Sequence, residues 1–145
     1  MISRKNPRPR LLLELRAAAL ARVLLAPASA SAQDDLDVLL ERLPTESPFG
    51  RYKTIERLGD LGTQEAIRAL VGLFPDEDLR WLAVHQLAQI GTASVPALLE
   101  ALNAPIADTV RCAVYTLGEI RASQAVPALI PVLANPDVEI RQHVA

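Results

Sequence analysis

From residue 51 onward the apolar positions recur with a period of about thirty residues, and each period holds two short helix patterns. The first pattern of each unit spaces its inward positions at i, i+4, i+7: Thr54, Leu58 and Leu61, then Ala83, Leu87 and Ile90, then Ala113, Leu117 and Ile120. The second spaces them at i, i+3, i+7: Ile67, Leu70 and Phe74, then Val95, Leu98 and Leu102, then Val126, Leu129 and Leu133. Either spacing gathers three side chains on one side of a helix. Each unit is therefore a helical hairpin with an apolar flank on both arms. One hairpin cannot bury both flanks alone, so the pattern predicts stacking on neighbours.

The punctuation agrees with this division. Gly62 and Gly91 follow first arms as helix stops, while Thr63, Thr92 and Ser123 stand where second arms need an N-cap. Asp76-Glu77-Asp78, Asp108 and Asn135-Pro136-Asp137 offer caps for the next first arms. Pro96 and Pro127 fall in the opening turn of a second arm, where a missing N–H has no helical partner. Pro131, well inside the third second arm, predicts a kink. Residues 34–43 read as a short capping helix with Leu36, Leu39, Leu40 and Leu43 on one side, and Pro44 and Ser47-Pro48 then break the chain as a linker to residue 50.

Half of the 145 residues are hydrophobic and 22% are charged, which excludes a wholly disordered chain. With aromatics at only 3%, the core must be built from Leu, Ala, Val and Ile, which suits close-packed helices. Charge is uneven: residues 1–33 carry six basic and one acidic side chain, net +5, against nine basic and sixteen acidic, net −7, in residues 34–145. An acidic repeat region without a basic stripe, and with few aromatics, argues against a nucleic-acid partner. The single Cys112 has no disulfide partner and nothing supplies zinc-ligand spacing, so it reads as a small half-buried helix residue. His85 and His143 lie far from it in sequence, and there is no Gly-rich phosphate loop. No catalytic, cofactor-binding or metal-binding residue is assigned.

Residues 1–33 combine a basic start (Arg4, Lys5, Arg8, Arg10), a Leu/Ala-rich middle and an Ala-Ser tract with small residues at Ala28, Ala30 and Ala32 that suits an A-x-A cleavage site. Glu14, Arg16 and Arg22 interrupt the middle so that no uncharged run within residues 11–26 exceeds five residues, which argues against a membrane span. Three readings stay open: a cleaved targeting peptide, a retained arm or capping helix, and a miscalled start codon. A cytoplasmic location is favoured slightly, with export or an organelle the alternative if the leader is cleaved.

Leu79-Arg80-Trp81-Leu82-Ala83-Val84-His85-Gln86-Leu87-Ala88-Gln89-Ile90-Gly91 with Val95-Pro96-Ala97-Leu98-Leu99, echoed by Val110-Arg111 through Leu117-Gly118-Glu119-Ile120 with Ala125-Val126-Pro127-Ala128-Leu129, resembles the HEAT repeat, in the short variety known from phycobilisome lyases. The first unit keeps Leu58-Gly59-Asp60-Leu61-Gly62 but has Arg68 where proline is expected. The resemblance spans residues 51–145 and implies an all-α fold, a right-handed α-solenoid of three full hairpins. A fourth first arm opens at Val138 and stops in mid-helix at Ala145, which reads as a fragment or a truncated reading frame with further repeats once downstream.

Arg51, Arg80, Arg111 and Arg141 recur near the start of successive first arms, Arg111 one position out of register. They read as ties to neighbouring loops through carbonyls or acidic linkers rather than as an anion-binding ladder. The resemblance places second arms on the inner, concave face, whose exposed positions are taken as Arg68, Ser94, Leu99, Glu100, Asn103 and Ile130. That mixed surface suits a protein or peptide partner and a non-catalytic scaffold. The competing reading is an accessory factor of bilin-lyase or deoxyhypusine-hydroxylase type. The second of these needs His-Glu pairs on first arms, but Gln86 follows His85 and Val144 follows His143.

Overall fold

A computed structural model describes residues 28–144 of the chain. Contacts divide the chain into two compact units, residues 1–35 and 36–145. Most of the basic leader lies outside the described residues. Helix α1 (Ala28–Arg42) begins six residues before the expected start at residue 34. The Ala-Ser tract that suits an A-x-A cleavage site is helical from Ala28, its alternate alanines carrying the strongest helix propensity. In the second unit Leu36, Leu39 and Leu43 are buried at the head of the core, while Leu40 stays exposed.

Three hairpins and a further arm follow: α2 (Pro48–Leu61) with α3 (Gln64–Gly72), α4 (Arg80–Ile90) with α5 (Val95–Ala101), α6 (Ala107–Ile120) with α7 (Val126–Leu129), and α8 (Val138–Val144). Ser47 caps α2, its Oγ accepting the Gly50 N–H at 3.2 Å, and Pro48 supplies the first helical φ. Gly62 and Gly91 end first arms at φ +58° and +74°, backbone that favours glycine. At the third first arm Arg121 takes that role at φ +57°. Thr63 caps α3, accepting from Ala66 N, and Asp137 Oδ1 caps α8, accepting from Glu139 N at 2.9 Å. Thr92, Ser123 and Asp108 do not cap. The first two open 3₁₀ turns at Gly91–Ser94 and Ser123–Ala125 that lead into the second arms, and Asp108 lies within α6.

Successive first arms pack as one layer, α2 on α4 on α6 on α8, and α3 packs on α5 in the other. Leu58, Leu70, Leu87, Leu98 and Leu117 lie in one continuous dry cluster, and Leu129 packs partly buried against it. Among the described residues there is no strand, so the array is an all-α solenoid. Residues 80–101 are long and apolar enough by composition to cross a membrane, but the backbone turns at Gly91 and both pieces contribute to this core.

The third second arm departs from expectation. Pro131 has no N–H to continue the helix, so α7 ends at Leu129 and Pro131–Ala134 winds on as a 3₁₀ turn. Val126 and Leu133, expected to face inward, are 53% and 46% exposed, and the buried positions are Ala125 and Val132. The 3₁₀ turns that flank α7 advance about 120° per residue instead of 100°, so the buried face is displaced by one residue. No second arm follows α7 to cover that flank among the described residues.

Two truncations within the third hairpin separate the spacing from the packing. Leu117→Ala should cost ~2–5 kcal/mol and Val126→Ala under about 1 kcal/mol, read from urea unfolding midpoints.

Candidate functional site

The second-arm layer carries two clefts one repeat apart. The first, of about 320 Å³, opens between α3 and α5 and is lined by Arg68, Val71, Gly72, Pro75, Ala97, Glu100, Ala101, Ala104 and Thr109. The second, of about 360 Å³, lies between α5 and the third second arm and is lined by Leu99, Leu102, Asn103, Ala128, Pro131, Val132 and Asn135. Arg68 and Glu100 thus share one cleft, and Leu99 and Asn103 share the next. Both Arg68 and Glu100 are exposed, and neither enters an ion pair among the described residues. Ile130 is 61% exposed on the same arm but lines neither cleft. The volumes fall at the small end of the ~300–1,000 Å³ range of ligand pockets, open enough for side chains of a bound segment.

Ser94 does not belong to this surface. It closes the 3₁₀ turn before α5 and is fully buried, its hydroxyl donating to Leu87 O at 3.0 Å and Gly91 O at 2.6 Å. Leu87 O also accepts the Gly91 N–H that closes α4, so the serine adds a second bond to the end of that arm from inside the hairpin. Its expected exposure rested on treating the turn as regular helix, which puts position 94 on the wrong side.

The first-arm edge holds the arginines. Arg80 donates to Pro75 O at 3.2 Å and Asp76 O at 3.3 Å and pairs with Asp108 at 3.2 Å. Arg141 ties its own linker in the same manner, donating to Asn135 O at 2.7 Å and Pro136 O at 3.0 Å. Arg111, out of register by one, instead reaches between repeats, to Asp108 on its own arm and Glu139 on α8. Arg51 departs from this pattern, with a buried Nε that has no partner. The guanidiniums of Arg80, Arg111 and Arg141 tie loops and repeats together.

Sequence reading missed the placement of the aromatics. Five are present, and four stand on first arms in contact with solvent: Phe49 at 69%, Tyr52 at 44%, Trp81 at 57% and Tyr115 at 38% exposure. Trp81 meets Tyr115 edge to face, centroids 5.5 Å apart, and Tyr115 meets His143 at 6.5 Å. A small count had suggested no aromatic surface, and the register of Trp81 and Tyr115 on neighbouring arms was the available signal. His85 is exposed beside Gln89, with 2.9 Å between Nε2 atoms, and no group of three or more His, Cys, Asp or Glu is placed to hold a metal among the described residues. Burial pushes the Cys112 thiol above its ordinary pKa, with the Arg80 and Arg111 charges offsetting part of the rise.

This two-layer stack of hairpins, knit by buried leucines and arginine ties, defines a helical repeat protein. Residues 73–145 match the family of HEAT repeats, half of the chain, and the chain belongs to that family. No curated protein matches it.

Ser94→Ala removes the buried hydroxyl's bond to the end of α4 and should cost ~0.5–1.5 kcal/mol by chemical denaturation, where an exposed serine would cost almost nothing. Because its pKa is raised, Cys112 is protonated at neutral pH. Maleimide labelling of the native protein should be slow there, accelerate as pH rises, and become fast at neutral pH only after unfolding.

Proposed function

We propose that this chain is a non-catalytic protein-interaction scaffold that receives a protein or peptide segment across its second-arm face. The observation that carries the reading is the pair of adjoining clefts, each built between two arms and together repeating along the layer. Such a row suits a partner that runs along the array and presents a side chain to each cleft. Arg68 and Glu100, neither in an ion pair among the described residues, offer opposite charges at the first cleft. Leu99 and Leu102 offer apolar contact in the second, beside the amides of Asn103 and Asn135. A polar rim around small apolar depressions is the make-up of a transient interface. Repeats of this family serve mostly as such platforms, which supports a binding role over chemistry.

Capture experiments with the full chain as bait test the face. The double substitution Leu99→Asp with Glu100→Lys should abolish capture of the partner while circular dichroism stays unchanged. Retention of the partner by the helical double variant would remove the second-arm face from consideration.

A further inference from the structure

We propose that the aromatic cleft on the first-arm layer is a second docking site, built for a proline-rich peptide in the polyproline II conformation. The cleft has a volume of about 210 Å³ and is lined by Arg80, Trp81, Arg111, Cys112, Tyr115 and His143. It is too small for the ~300–1,000 Å³ occupied by cofactors and drug-sized ligands, and it matches a residue or two of an extended chain. Its walls come from three successive first arms, α4, α6 and α8, so their packing fixes its geometry without help from a partner.

Three observations select the occupant. The first is ring geometry. Trp81 and Tyr115 stand at 86° to one another, and Tyr115 and His143 at 64°, so the row presents ring faces and edges at an angle rather than one closed stack. Grooves lined by aromatic rings are the surfaces on which the pyrrolidine rings of polyproline segments sit.

The second is charge. Both guanidiniums at the cleft are neutralised where they stand, Arg80 by Asp108, and Arg111 by Asp108 and Glu139. Two positive and two negative groups compensate one another, with His143 the remaining titratable side chain in the lining. An uncharged segment is complementary to a compensated site, whereas a charged one would have to break these pairs.

The third is hydrogen bonding. The Trp81 indole N–H and Tyr115 hydroxyl are donors with no hydrogen-bond partner in the described residues, and His143 Nδ1 is taken up by Glu139 O at 2.7 Å. A proline-rich chain offers carbonyl acceptors and few N–H groups, so donors projecting from rings are what it requires. Trp, Tyr and Arg are also the residues that concentrate binding energy at interfaces, and exposing the one tryptophan at 57% is otherwise a cost in solubility.

Trp81 is the sole tryptophan, so its emission reports on the cleft directly. The full chain is titrated with synthetic oligoproline and Pro-x-x-Pro peptides, with oligoglutamate and oligolysine peptides of equal length as the charged alternatives. The expected result is a saturable change in Trp81 emission with at least one proline peptide and none with the charged ones. Calorimetry with Trp81→Ala and Tyr115→Ala should then show binding weakened about tenfold or more. Because both side chains are exposed, helicity should be unchanged. Leu99→Asp with Glu100→Lys should leave the response intact, which separates this site from the second-arm face. Absence of any response to the proline peptides would overturn the proposal. So would tighter binding of a charged peptide, undiminished binding by Tyr115→Ala, or an emission change with protein concentration alone, which would mean a second copy of the chain occupies the cleft.

Discussion

Leu87 and Leu98 belong to one hairpin, yet the hairpins on either side help to keep them dry. Helix α4 packs against both α2 and α6, and α5 against α3 and α6, so each arm has neighbours before and after it in the array. Burying a leucine contributes ~1.5–3 kcal/mol, and a hairpin standing alone would leave its outer flanks wet. Stability is therefore a property of junctions between repeats more than of any repeat. Polar ties run along the same direction. Arg80 on α4 pairs with Asp108 on α6, and Arg111 on α6 pairs with Glu139 on α8, so the last three first arms are linked in series.

That dependence on neighbours also explains where the clefts fall. Arms meet along buried leucines, and between neighbouring second arms lies a depression with walls from different repeats. Arg68 and Glu100 come together from arms about thirty residues apart in sequence because a repeat is about that long. The proposed interaction face is thus a by-product of stacking, and its chemistry is set by residues that stacking does not use.

Most of the framework is legible from local spacing. The triplets headed by Ile67, Ala83 and Ala113 are inward-facing because α-helical winding carries a fixed period, and Gly62 and Gly91 mark stops because their backbone is left-handed. Legibility fails wherever that winding changes. Ser94 lies in a 3₁₀ turn, so a count of 100° per residue sends it to the surface when it is fully buried. Val126 and Leu133 fail for the same reason on either side of α7, while Leu129 between them does pack against the core. The early start of α1 was hidden by an Ala-Ser tract whose composition also suits a processing site. The clefts themselves could not be read at all, because their walls are distant in sequence.

The placement of the aromatics follows from the same packing. Ala66, Ala83 and Ala113 are fully buried on the packed sides of their arms, and side chains this small favour close approach of helices. A ring at such a position would force the arms apart and break the register on which the next junction depends. Phe74 escapes this because it lies beyond the end of α3, and it is fully buried there. Trp81, Tyr115, Phe49 and Tyr52 have no comparable gap and stand outside, on arms whose inner side is already filled. Because first arms stack side by side, residues held out in this way from adjacent repeats are brought within ring-contact distance, as Trp81 and Tyr115 are at 5.5 Å. A core too tight for rings therefore assembles an aromatic row on its own surface, and selection for a partner needs only to tune what the packing has already gathered.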